Sequence, residues 1–139
     1  MNNKKTAVAF LSDADIILEE ADFSLEREHW HRTIRKCQEA TELAVKGMFK
    51  YLGIEYPKSH LLGRVIKKEL GKHEIFTKED LRKMAFVSDS LAFDREPSFY
   101  GSPEGFPASN LFDKNDAEEA IMETKWLIGL IKAEIKSLN

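Results

Sequence analysis

The stretch from Trp30 to His60, WHRTIRKCQEATELAVKGMFKYLGIEYPKSH, limits the possible folds of this chain more than any other. Trp30, Ile34, Cys37, Thr41, Ala44, Met48 and Tyr51 recur at alternating spacings of four and three, which is one stripe along an α-helix. Ala40, Leu43 and Gly47 add a second apolar strip beside it. A helix apolar over so wide an arc must touch neighbours on two sides, so it belongs at the centre of its domain. Gly53, which can adopt the left-handed C-cap conformation, ends it, and Pro57 lies shortly beyond.

Around this central helix, about Arg27–Leu52, the patterning predicts four others. The first runs about Lys4–Leu25, with Ala7, Phe10, Ala14, Ile17, Ala21 and Leu25 on one face. A short third, about His60–Leu70, stops at Gly71. The fourth begins after Thr77, with Thr77 and Asp80 as an N-cap pair, and turns Leu81, Met84, Ser88 and Leu91 inward. The fifth starts after Asn115, with Glu118 at the capping-box position, and reaches about Leu138. Its inward residues are Ala117, Ile121, Thr124, Leu127 or Ile128, Ile131 and Ile135. No alternating β-branched run suggests a sheet. The expected fold is an all-α, up-and-down bundle of about five helices.

At 139 residues and 42% hydrophobic content, the chain can bury one core, so residues 1–139 are expected to form one domain. No apolar run approaches the roughly 18 residues of a membrane span. Lys4 and Lys5 precede AVAFL, but Asp13 and Asp15 arrive too soon for a secretory leader, and a cytoplasmic protein is expected. The single Cys37 sits on the apolar stripe and is expected to be a buried, inert thiol. A net charge of −3 argues against a dedicated duplex-DNA binder. The charge is uneven, with an acidic first segment from Asp13 to Glu26. Two basic groups follow: Arg27, Arg32, Arg35 and Lys36, then Lys58, Arg64, Lys67, Lys68 and Lys72. They form either solvated faces with cross-helix ion pairs or a surface for an acidic partner or for RNA.

The segment Glu96–Lys114 is too long for an ordinary connection. It holds Pro97, Pro103 and Pro107 beside Phe99, Tyr100, Phe106, Leu111 and Phe112. Such rings pack on the bundle end or stack on a ligand. Arg95 falls just before it, four residues after Leu91, on the continuation of the inward face. Its guanidinium either pairs with a buried carboxylate or lines a cleft and binds an anion. Tyr100 follows in an Arg-x4-Tyr pattern and is a poor general base at neutral pH.

Glu26-Arg-Glu-His29 is half of a carboxylate-bridged di-iron motif, but no second Glu-x-x-His accompanies it, and no metal is expected. His60, after Pro57-Lys58-Ser59 at a helix start, is explained by packing or capping. Glu42, Lys46 and Lys50 stand at i,i+4 spacing and fit a solvated strip. There is no Gly-rich phosphate loop, no His-Glu-x-x-His and no nucleophile elbow, so neither a cofactor nor a catalytic residue is assigned.

The order of these features resembles a known family. An amphipathic helix precedes Arg35-Lys-Cys-Gln38-Glu39-Ala40-Thr-Glu42-Leu43-Ala44-Val-Lys46-Gly47 and Gly53-Ile-Glu-Tyr-Pro57-Lys58-Ser59-His60-x-Leu62. Then come Arg95-Glu-Pro97, an irregular loop, and a last helix opening with Asn115-Asp116-Ala117. This is similar to the HEPN (higher eukaryotes and prokaryotes nucleotide-binding) domain over nearly the whole chain.

The resemblance implies a helical bundle that usually forms a homodimer and is tied to nucleotides and RNA. It also implies a minimal nucleotidyltransferase as a candidate partner in toxin–antitoxin-like complexes. RNA-cleaving members carry Arg-x4-6-His. After Arg95 that window holds Tyr100 to Ser102 and no His, so no nuclease activity is expected. Arg95-Glu-Pro97 is closer to the Arg-Tyr-Pro variant of non-nuclease members, with Glu96 in place of the Tyr.

The expected site is a cleft of Arg95, Tyr100 and Phe99, joined by Lys58 and His60 if the third helix packs beside the fourth. The protein is then a nucleotide- or partner-binding module. The alternatives are a divergent ribonuclease using Arg95, Tyr100 and a histidine from elsewhere, or a dimeric scaffold without a small ligand.

Overall fold

The computed structural model describes residues 3–138, and these form helices joined by turns, with no strand among them. Two long helices open the chain, α1 (Asn3–Glu26) and α2 (Trp30–Leu52). A single turn, α3 (Gly63–Val65), runs on as a π-helical turn, Ile66–Leu70. After it come α4 (Lys78–Phe93), the short α5 (Pro97–Tyr100), a 3-10 turn (Ala108–Asn110) and the long α6 (Lys114–Leu138).

Every residue of α2 is buried or half-buried, which makes it the central helix. The predicted stripe is inside, and Thr33, Val45 and Phe49 are buried as well, so neighbours enclose α2 on more sides than two strips require. It packs chiefly on α1 and α6 and more lightly on α4 and α5. Cys37, Ala40, Ala44 and Met48 on α2 join Ala7, Ala14 and Ala21 of α1 and Leu127 and Ile131 of α6 in one core. The alanines let α1 lie close along α2, where Gly47 meets Phe10 and the Ala7 carbonyl. Thr41 and Thr124, both buried, satisfy each other across the α2–α6 contact through a 3.2 Å hydroxyl pair.

Several boundaries move from their predicted places. α2 begins at Trp30 rather than Arg27, because Glu28 adopts a left-handed conformation (φ 61°). The Glu28 and His29 N–H groups there close onto the Leu25 and Ser24 carbonyls, ending α1 before a second helix can start. The third helix starts at Gly63 rather than His60. Thr77 caps α4 as predicted, accepting from the Asp80 N–H at 3.0 Å. The capping box of α6 is not at Glu118. Asp113 and Asp116 exchange reciprocal side chain to backbone bonds of 2.9 and 3.0 Å.

Cross-helix ion pairs account for much of the acidic first segment: Asp15 with Lys132 at 2.8 Å, Asp22 with Lys125 at 3.2 Å and Glu20 with Lys36 at 3.6 Å. The side chains of these pairs are a quarter to a half exposed, and the pairs contribute little to stability.

Candidate functional site

The polar face of α2, read from sequence as a solvated strip, is half-buried. The side chains of Glu42 and Lys46 are only 19% and 17% exposed. Glu42 sits at the centre of a network. Its Oε1 accepts from Gln38 Nε2 at 2.8 Å and from His60 Nδ1 at 2.7 Å, and its Oε2 accepts from Lys46 Nζ at 2.9 Å. Burial alone would raise the Glu42 carboxyl, but the bonds from Lys46, His60 and Gln38 outweigh it and hold the pKa below its ordinary value. An ionised carboxylate can only accept, so His60 Nδ1 carries the proton. In the neutral ring Nε2 is then left as an acceptor.

His60 therefore does not cap a helix; the loop after α2 folds back so that its ring reaches Glu42. Two contacts place that loop. Ser59 Oγ accepts from the Leu61 N–H at 3.0 Å, and the Gly63 N–H at the start of α3 donates to Asp89 Oδ1 of α4 at 2.9 Å. α3 thus packs beside α4, which is the condition for His60 to reach the cleft.

α4 ends at Phe93, so Arg95 does not continue its inward face. It stands half-buried in the turn before α5. The backbone of that turn is pinned twice at the Arg95 carbonyl, by Arg35 Nη1 at 2.9 Å and by Ser98 Oγ at 3.1 Å. The Arg95 guanidinium makes no ion pair among the described residues, so the buried-carboxylate alternative is not what the structure holds. Arg35, whose side chain is 15% exposed, lies close enough for its pKa to be lowered, first by burial and then by the charge of Arg95. Glu39, at 3.7 Å, and then Tyr100 act in the opposite direction on Arg35.

A groove of about 580 Å³ runs between the 59–61 loop and the α4–α5 turn. Arg35, His60, Phe93, Arg95 and Tyr100 are among the residues that line it, and its size suits a small organic ligand. Of the predicted site residues, Arg95, Tyr100 and His60 come together here. Phe99 does not line this groove. It lies beneath the guanidiniums of Arg35 and Arg32, whose central carbons are 5.0 and 5.8 Å from the ring centre, and meets Tyr100 edge-on at 4.7 Å. Lys58 is exposed and is not part of the lining. In the long connection Phe112 packs on the core, whereas Tyr100 and Phe106 stay 78% and 60% exposed.

Sequence reasoning missed Arg35, Gln38 and Glu42 as site residues. The signal was present: with Lys46 they stand on one face of α2 at helical spacing, on a helix whose pattern already requires enclosure.

The sequence matches the family described as the HEPN domain over residues 7–134, and the chain belongs to that family. Among solved structures it is similar to the crystal structure of TT1696 from Thermus thermophilus. The TM-score is 0.77 at 21% identity, over 96% of this chain and 99% of the other. This likeness concerns the fold. None of the curated proteins compared with the chain matches it.

Proposed function

We propose that this HEPN-domain protein is a cytoplasmic module that binds the phosphate of a nucleotide or RNA end in the groove between Arg35, Arg95 and His60. The observation that carries this is the pair of neighbouring guanidiniums, of which Arg95 has no carboxylate of its own among the described residues. An anion with several oxygens relieves their mutual repulsion and suits their fixed donor geometry. Tyr100, largely exposed, is free to stack on a neighbouring base of an RNA end. The family relationship favours a minimal nucleotidyltransferase as protein partner in a toxin–antitoxin-like pair.

A homodimer fits the outward face of α4, where Phe86 and Phe93, seven residues apart, are 68% and 70% exposed. Light scattering giving the mass of one chain at micromolar concentration would rule it out.

Calorimetric titration of ATP, AMP and short RNA into wild type and Arg95→Ala tests the phosphate site. Binding by wild type that the variant loses supports it. No binding by wild type at millimolar ligand refutes it and leaves a scaffold.

One observation favours a second reading, a divergent ribonuclease. The missing motif histidine has a spatial substitute in His60, oriented by Glu42 beside Arg95, as a general base requires. Cleavage of single-stranded RNA that both His60→Ala and Arg95→Ala abolish would establish this reading; its absence leaves the binding module.

A further inference from the structure

A second, smaller furrow of about 370 Å³ runs along α2 and shares Arg95 with the phosphate groove. Ile17 and Leu43 supply apolar walls, and Gln38, Glu39, Glu42, Lys36 and Lys46 line the polar side. The charges on that side neutralise one another. Lys46 holds Glu42 at 2.9 Å, and Lys36 lies 3.6 Å from Glu39. What remains unpaired is specific. Gln38 is only 3% exposed, its Nε2 is committed to Glu42, and its Oε1 is the buried side-chain atom without a hydrogen-bond partner among the described residues. A buried acceptor with no donor is rare in folded proteins and marks a place where a missing group belongs. Glu42 bridges the two cavities, since it lines the furrow while its partner His60 lines the groove.

We infer that this furrow is a base-recognition subsite that takes a nucleobase bearing an exocyclic amine, which donates to Gln38 Oε1 while the attached phosphate lies on Arg95. The inference rests on the phosphate site proposed above and names the ligand it selects. Among the described residues, the unpaired features lining this furrow are the Gln38 acceptor and the Arg95 cation, so the matching ligand carries a donor at one end and an anion at the other. Ile17 and Leu43 give a flat base apolar surface to lie against. Gln38 lines the furrow but its Oε1 is buried in the free protein, so the amide turns about its soft terminal torsion to meet the base, loosening the Nε2 bond to Glu42 as it does so. A base without the amine leaves the acceptor unpaired, which converts to a roughly fivefold or greater loss of affinity.

The test is calorimetry with ribose 5-phosphate, AMP and purine riboside 5′-monophosphate, the last being AMP without its amine. Wild type is expected to bind AMP at least roughly fivefold more tightly than purine riboside 5′-monophosphate. Gln38→Met, of similar volume, is expected to bind the two nucleotides equally. Equal affinity of wild type for the two nucleotides overturns the subsite and leaves the phosphate site standing. So does discrimination that survives Gln38→Met. If ribose 5-phosphate and both nucleotides fail to bind at millimolar concentration, the phosphate site and the subsite fall together. Should Gln38→Met not fold, the wild-type comparison still decides.

Discussion

Gly63→Ala is a sharp test of how the fold holds the groove together. The Gly63 N–H donates to Asp89 Oδ1 at 2.9 Å, and a Cβ added at Gly63 would run into the same carboxylate. Asp89 must then turn away and give up the bond. A hydrogen bond to a charged group contributes about 1.5–3 kcal/mol. Alanine is the better helix former and returns about 0.5–1 kcal/mol. The net loss is about 0.5–2.5 kcal/mol, which for a chain of this length lowers the melting temperature by about 2–9 °C. The assay is thermal unfolding by circular dichroism, run also in an Asp89→Ala background, where the obstructing carboxylate is absent. There the same change is expected to reverse sign and stabilise by about 0.5–1 kcal/mol. Since Gly63 anchors the loop carrying His60, the single variant is also expected to bind phosphate ligands more weakly. A Gly63→Ala protein that melts with wild type, or that loses the same stability in both backgrounds, would refute the reasoning.

Other perturbations probe the core and its charges. Ala44→Asp puts a charge at a fully buried position of α2, several kcal/mol unfavourable, and is expected to prevent folding; a soluble helical variant with unchanged melting would refute the core assignment. Burial pushes the Cys37 thiol up to about 12, so a thiol reagent at neutral pH is expected to label the protein only after denaturation, and fast labelling of the native state would contradict this. Asp94 has its pKa raised, by burial first and then by Asp116, so its ionised form at neutral pH opposes folding and acidification through the raised value relieves it. Asp94→Asn is therefore expected to raise the melting temperature at neutral pH, by an amount that shrinks as pH falls into the carboxylate range; a gain independent of pH would point elsewhere. Glu42 has the opposite sign, because its pKa is depressed. The stability it contributes is present above the ordinary carboxylate value and lost as pH falls through the depressed one, so Glu42→Gln is expected to flatten the acid limb of the stability curve.

Local information made α2 legible. Its three-four spacing requires no partner to be recognised, and the stripe from Ile34 to Tyr51 is buried as the pattern demands. Thr77 was legible for the same reason, since a cap and the N–H it serves are three residues apart. Helix starts were less so. Arg27 and Glu28 are acceptable helix residues, and the left-handed turn at Glu28 arises because α1 must fold back onto α2.

The site divides along the same line. Arg95 and Tyr100 attract notice in sequence as a charge and a ring beside an irregular connection, and both line the groove. Pattern alone left the partner of Arg95 open. Only the packed structure decides that no carboxylate among the described residues reaches it, that Arg35 from a helix sixty residues earlier holds its carbonyl, and that Phe99 is occupied beneath Arg35 and Arg32. The pairing of His60 with Glu42, and the unpaired Gln38 carbonyl beside it, were likewise invisible, since they depend on a loop folding back across α2. Helical periodicity is a property of neighbouring residues, so the chain itself determines the helices, the central position of α2 and the bundle class. Which charges meet, and which polar atoms lack a partner, is set by contacts between distant segments, and those exist only once the helices pack.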